Sequence, residues 1–217
     1  MAMHRVVVVA FDRVIPFDLA TPCEVFAQVR LASGKPGYRV RVCGVAREVD
    51  AGMFRMRVEH GLAELGKADT IVLPGISDLR VQVPDRLLRA VREAAASGAR
   101  VVSICTGAFL LAATGLLDGC RATTHWQAAQ ELARTYPRIE VDPGVLYVDT
   151  GQFSTSAGAA AGLDLCLHLV RRDYGSAVAA RAARSAVMPL ERAGGQSQFI
   201  VHATPAPDGS SLLPLLE

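Results

Sequence analysis

Apolar positions gather into short continuous runs that alternate with stretches of helical spacing. Arg5 to Phe11 (RVVVVAF) is a valine-rich run bounded by polar residues, as expected of a strand covered on both faces in a parallel sheet. Tyr38 to Cys43, Ala68 to Leu73 and Arg100 to Ile104 repeat the signal, and Pro74-Gly75 stops the second of these. Thr21-Pro22-Cys23-Glu24 places Thr as N-cap, Pro at N1 and Glu at N3. That capping box predicts a helix starting there or slightly earlier and running to about Ala32. Pro84 to Ser97 carries Leu87, Leu88, Val91 and Ala95 on one helical face and ends at Gly98. Further helices are expected at Phe109 to Ala113, after His125 to Tyr136, from Ala157 to Tyr174 and from Ala177 to Val187. Ile139 to Val141, Val145 to Val148 and Phe153 to Ser154 read as short strands. Glu48 to His60 is irregular, with room for a small hairpin. Strands alternating with helices predict an α/β fold: a three-layer sandwich with a mainly parallel central sheet and helices on both faces.

The 217 residues suit one domain plus a tail. The division predicted is a domain over residues 1–187 and a separate segment over 188–217. Met188 to Ser211 is rich in Gly, Ser, Pro and Gln and reads as a linker. Ser210 to Glu217 (SSLLPLLE) resembles the first turn of an apolar-faced helix. A single turn does not hold in water, so this helix is expected to lead into a further domain.

Composition narrows the function classes. Apolar residues make up 51% and charged residues 20%, a globular mix that excludes intrinsic disorder. With 23 basic and 21 acidic residues the net charge is +2, too near balance to imply nucleic acid or an anionic membrane as a direct partner. No run approaches the ~18 apolar residues of a bilayer span, and the N-terminal valine run lacks the longer apolar region and cleavage site of a signal peptide. The cysteines, at 23, 43, 105, 120 and 166, are odd in number and form no CxxC. They point to a reducing cytoplasm, without a disulfide framework or a zinc site.

The sharpest chemical signal is Ser103-Ile104-Cys105-Thr106-Gly107. A nucleophile elbow needs a buried strand, an abrupt turn and a helix, with small residues two before and two after the nucleophile. Ser103 and Gly107 meet that need. In such a turn Cys105 faces the positive end of a helix dipole, which lowers a thiol pKa, and the Thr106 N–H points at a developing oxyanion. The plainer alternative is a buried cysteine packed as a small hydrophobe. His125, after Thr123-Thr124 and before the single tryptophan Trp126, is either a base returning to the elbow or a cap on the next helix. Asp18 lies near the strand ends or caps a helix, whereas the capping box already accounts for Glu24. A carboxylate buried beside a thiol would share a proton with it and carry a raised pKa. Gly75 either lends a second N–H to an oxyanion or makes an ordinary turn.

These residues resemble the ThiJ/PfpI superfamily, relatives of the class I glutamine amidotransferases with a flavodoxin-like fold. The resemblance covers about residues 4 to 200. It rests on Asp18 with Pro22-Cys23-Glu24-Val25-Phe26, on Leu73-Pro74-Gly75, on Cys105 to Ala112, on Gly115 to Gly119, on Arg121 to Trp126, and on Thr155 to Gly158 with Gly162-Leu163-Asp164. PfpI-type proteases carry a His directly after the cysteine; here that position is Thr106, which disfavours proteolysis. Ile76 stands where many members have a second glycine.

Two subgroups share these blocks. One is the amidase-like N-terminal domain of AraC-type (GlxA-like) transcriptional regulators. It implies a non-catalytic sensing and dimerising domain that binds a small-molecule effector near Asp18, Gly75, Ile76, Cys105, Thr106, His125 and Trp126. It needs no cofactor or metal, and reaches DNA only through a C-terminal domain beyond Glu217. The other is isonitrile hydratase, whose elbow cysteine, following Thr and Asp after the first strand are matched by Cys105, Thr106 and Asp18. His125 would join them if the chain is an enzyme. A redox sensor at Cys105 is a third reading. The regulator reading leads, and a homodimer is what the superfamily implies.

Overall fold

The computed structural model describes residues 3–80, 82–189 and 192–198. Its first strand, β1 (His4–Ala10), carries Val6, Val7, Val8 and Val9 almost wholly buried, which only an interior strand can achieve. β1 pairs in parallel with β2 (Tyr38–Gly44) on one side and with β6 (Thr70–Leu73) on the other. Next to β6 come β7 (Arg100–Ile104) and β11 (Phe153–Ser156), both parallel, and then β10 (Tyr147–Asp149), which is antiparallel. β5 (His60–Gly61) closes the opposite edge, giving the order β10-β11-β7-β6-β1-β2-β5. β3 (Glu48–Asp50) and β4 (Arg55–Arg57) form the small hairpin expected between residues 48 and 60. β8 (Arg121–Ala122) and β9 (Glu140–Val141) make a separate parallel pair.

The helices are α1 (Pro16–Gln28), α2 (Asp85–Ala96), α3 (Gly107–Ala113), α4 (Trp126–Thr135), α5 (Ala160–Tyr174) and α6 (Ser176–Ser185). α1, α5 and α6 pack together, while α2 packs with α3 and with a 3-10 helix over Leu62–Lys67 that the sequence pattern did not announce. The α/β sandwich expected from the alternation is therefore the observed fold. Among the described residues no helix is long and apolar enough to cross a membrane.

Three boundaries differ from expectation by three residues or more. α1 starts at Pro16, not at Thr21, with Pro16 in its first turn and Pro22 inside it. The Thr21 hydroxyl donates to the Phe17 carbonyl (2.8 Å) rather than capping an N-terminus, and Glu24 accepts from Gln28 (2.6 Å). The helix also stops at Gln28, short of Ala32. α5 starts at Ala160, not Ala157, because Gly158 and Ala159 both adopt positive φ, +90° and +47°.

The N-terminal ends of the strands are tied by one buried network. Arg100 donates to both Asp173 oxygens (2.9 and 2.8 Å) and to the Thr70 hydroxyl (3.0 Å). The Tyr38 hydroxyl donates to Asp173 (2.7 Å), and His4 Nε2 meets the Thr70 hydroxyl at 2.8 Å. These groups begin β1, β2, β6 and β7, so the network holds four adjacent strands in register, leaving the opposite ends free for chemistry. Burial works against the charge on Asp173, but the Arg100 guanidinium outweighs it and keeps the carboxyl below its usual range.

Residues 192–198, inside the expected linker, lie against the domain. Arg192 forks onto Asp164, the Leu146 N–H donates to the Gly194 carbonyl (2.7 Å), and the Gln198 amide donates to the Thr124 carbonyl (3.0 Å). The helix expected near residue 211 lies outside the described residues.

Candidate functional site

β7 runs straight into Cys105, whose φ of +57° turns the chain into α3. A non-glycine residue in this left-handed region costs about 1–2 kcal/mol, so the surroundings must hold it there. Close packing does so. A Cβ on Gly107 would stand 2.1 Å from the Leu73 carbonyl oxygen, and one on Gly158 would stand 2.3 Å from Cys105 Cβ. A Cβ on Gly75 would fall 2.4 Å from Asp18 Oδ2 and 3.0 Å from Cys105 Cβ. Gly75 and Ile76 are absent from the positive-φ positions. The demand for glycine at 75 is thus one of space, and Ile76 is at ease where a second glycine was the family habit.

Asp18, in the first turn of α1, points inward and is 1% exposed. Its Oδ1 accepts the Ala159 N–H (3.1 Å), while Oδ2 is buried without a well-formed hydrogen bond. Burial pushes this carboxyl up from its ordinary 3.8; the Ala159 N–H, the Cys105 thiol and the Gly75 N–H oppose the rise without cancelling it. Cys105 is 7% exposed. Its thiol is pushed up to about 12, first by burial and then by the adjacent Asp18 charge, against the pull of the Thr106 N–H. The expectation that a helix dipole would lower this thiol is therefore corrected. Desolvation and a neighbouring carboxylate outweigh a helix of seven residues.

Thr106 is tied to Ile76 through its side chain. Its hydroxyl donates to the Ile76 carbonyl and accepts the Ile76 N–H, both at 2.7 Å. That reciprocal pair uses the hydroxyl proton and ties up the Ile76 N–H. The Thr106 N–H faces the Cys105 sulfur, and the Gly75 N–H faces Asp18.

His125 resolves toward the capping alternative: it is the N-cap of α4, and its Nδ1 accepts the Gln127 N–H at 3.4 Å. It remains close enough for its charge to be felt at Asp18. Its ring stacks on Trp126, centroids 5.8 Å apart, and Trp126 is 45% exposed. The structure thus gathers Asp18, Gly75, Cys105, Thr106 and Ile76 into one cluster, while Trp126 is half exposed beside His125. Sequence reasoning did not assign site roles to Gly158, Ala159 and Thr124. Among the described residues, Ala159 supplies Asp18's only well-formed hydrogen bond, and the Thr124 hydroxyl donates to the Cys105 carbonyl (2.8 Å). The Thr155-Ser156-Ala157-Gly158 block was the signal that could have flagged the first two.

Residues 4–172 match the model of the DJ-1/PfpI family. The chain belongs to that family. Among DJ-1/PfpI relatives, the HTH-type transcriptional regulator GbdR of Pseudomonas aeruginosa is 26% identical over 171 residues, 78% of this chain and 46% of that protein. The isonitrile hydratase of Pseudomonas putida is 39% identical over 108 residues, 49% of this chain and 46% of that protein. The chain thus spans just under half the length of each. The crystal structure of an AraC family transcriptional regulator from Pseudomonas putida superposes with a TM-score of 0.73 over 84% of this chain and 99% of that one. At 20% identity, that likeness is one of fold.

Proposed function

We propose that this DJ-1/PfpI domain is the sensing and dimerising part of a cytoplasmic transcriptional regulator. It holds a small effector at the Asp18–Cys105 cluster and acts on DNA through a separate segment following residue 187. The observation that carries this reading is the resting state of the elbow. Cys105 is nearly buried, its thiol is pushed up to about 12, and the Thr106 hydroxyl is hydrogen-bonded to Ile76. A nucleophile needs the opposite, a thiolate or a base that makes one. A thiol this hard to ionise also makes a poor peroxide sensor. The regulator names among the relatives support the same reading.

One observation favours isonitrile hydration instead. The unpartnered Asp18 Oδ2 lies beside the thiol and could take its proton as sulfur attacks the isonitrile carbon and return it to that carbon, giving a thioimidate. Water then adds to the thioimidate carbon and the C–S bond breaks, regenerating the thiol and releasing the N-substituted formamide. Cyclohexyl isonitrile separates the two readings. The regulator reading expects no formamide from wild type beyond the no-protein control. Formamide produced by wild type and lost in Cys105→Ala would overturn it in favour of the hydratase.

A further inference from the structure

The elbow is not the only feature at the C-terminal ends of the strands. Chain order reverses beside β1: β2 lies on one side and β6 on the other. In open α/β sheets the crevice above such a switch point is where ligands bind. Here that crevice is a cavity of about 100 Å³ walled by Phe11, Val45, Val49, Ile76, Leu87 and Leu110. Phe11 follows β1, Val45 follows β2 and Ile76 follows β6, so the loops leaving all three strands converge on it. All of these residues except Val45 are buried. Such walls offer water few partners and favour an apolar guest.

The lining includes one charged side chain, Asp12, exposed at the mouth. Its Oδ1 accepts the Asp50 N–H (2.9 Å), and among the described residues its Oδ2 accepts no hydrogen bond. A guanidinium stands nearby, but Arg86 is engaged with the Val45 carbonyl (2.7 Å). We propose that this cavity is a binding site for a small primary ammonium compound. Its apolar body, about four to six carbons by comparison with benzene in a cavity of roughly 150 Å³, would sit among Phe11, Ile76, Leu87 and Leu110. Its ammonium group would sit on Asp12 Oδ2. Ile76 walls the cavity with its side chain and holds the Thr106 hydroxyl with its backbone, so a guest that shifts Ile76 also shifts the residue after Cys105. The site rests on the switch-point geometry and not on elbow chemistry, so it stands or falls apart from the regulator reading.

Calorimetric titration with 3-methylbutylammonium and with its neutral isostere 3-methylbutanol tests it. Wild type should bind the amine saturably and more tightly than the alcohol. Asp12→Asn, an exposed change that leaves the core intact, should weaken the amine about fivefold, the upper range for an exposed charge pair, and abolish its preference over the alcohol. Leu110→Phe, which fills the cavity, should weaken both ligands tenfold or more. Cys105→Ala should leave the binding in place. No saturable binding up to about 10 mM, an amine preference that survives Asp12→Asn, or binding that vanishes with the thiol would each overturn the proposal.

Discussion

Gly158→Ala measures how tightly the elbow is clamped. The added Cβ would meet Cys105 Cβ at 2.3 Å, Sγ at 2.8 Å and Cα at 2.9 Å, at a backbone φ of +90°. Carbon atoms in contact prefer about 3.5–4.0 Å, so something must move by more than an ångström. The dihedral costs about 1–2 kcal/mol for an L-residue, and forcing extra atoms into a packed site costs about 1–3 kcal/mol. Together they predict roughly 2–5 kcal/mol of lost stability. The contact part is separable because Cys105→Gly deletes the Cβ and Sγ while suiting the +57° backbone at that position. In that background Gly158→Ala should keep its dihedral cost and the approach to Cα but lose the rest, giving a coupling of about 1 kcal/mol or more. Urea unfolding followed by circular dichroism on the four proteins of the cycle supplies the numbers. Equal costs of Gly158→Ala in both backgrounds would mean that Gly158 does not hold the elbow, and the steric account would fail.

Other expectations follow from the same cluster and from the opposite ends of the strands. Asp18 has a folded pKa raised above its unfolded 3.8, so the fold favours its neutral form more than the unfolded chain does. Its contribution is fully present below pH 3.8 and is lost as pH rises through the folded value. The stability of wild type relative to Asp18→Asn should therefore fall across that rise, and a pH-independent difference in unfolding free energy would refute the assignment. A thiol moved from 9.0 to about 12 holds about a thousandfold less thiolate at pH 8. Iodoacetamide labelling of Cys105, read by peptide mass spectrometry, should be correspondingly slow. Labelling should quicken in Asp18→Asn, which removes the neighbouring charge; labelling as fast as free cysteine in wild type would contradict the buried elbow. Asp173→Asn strands the Arg100 guanidinium, whose side chain is 7% exposed, and should destabilise the domain by about 3–5 kcal/mol in chemical denaturation.

The parts of this fold legible in the sequence are those fixed by local periodicity. The valine run of β1 and the runs of β6 and β7 announced interior strands, and the small residues around Cys105 announced a tight turn, with no room for a larger side chain at Gly107. What was missed depends on residues far apart in the chain. The Thr21-Pro22-Glu24 pattern satisfies a capping box as written. It lost because Pro16 begins the helix five residues earlier and the Thr21 hydroxyl finds the Phe17 carbonyl. The break at 157–159 is set by the approach of Gly158 to Cys105 and of Ala159 to Asp18, which no local pattern encodes. The direction of the thiol shift was misjudged for the same reason. A dipole can be read from a strand-helix junction, but desolvation comes only from what the fold packs over it.

The seating of residues 192–198 fixes where the chain departs. Gln198 is hydrogen-bonded to the Thr124 carbonyl, and the Thr124 hydroxyl is bonded to the Cys105 carbonyl. The residues that anchor it, Asp164 under Arg192 and Leu146 and Tyr147 against Gly194, lie within twenty residues of Ser156, whose carbonyl accepts the Cys105 N–H (2.9 Å), and of Gly158. Whatever polypeptide is carried after Gln198 is thus launched from a fixed corner of the body, one residue removed from the cysteine.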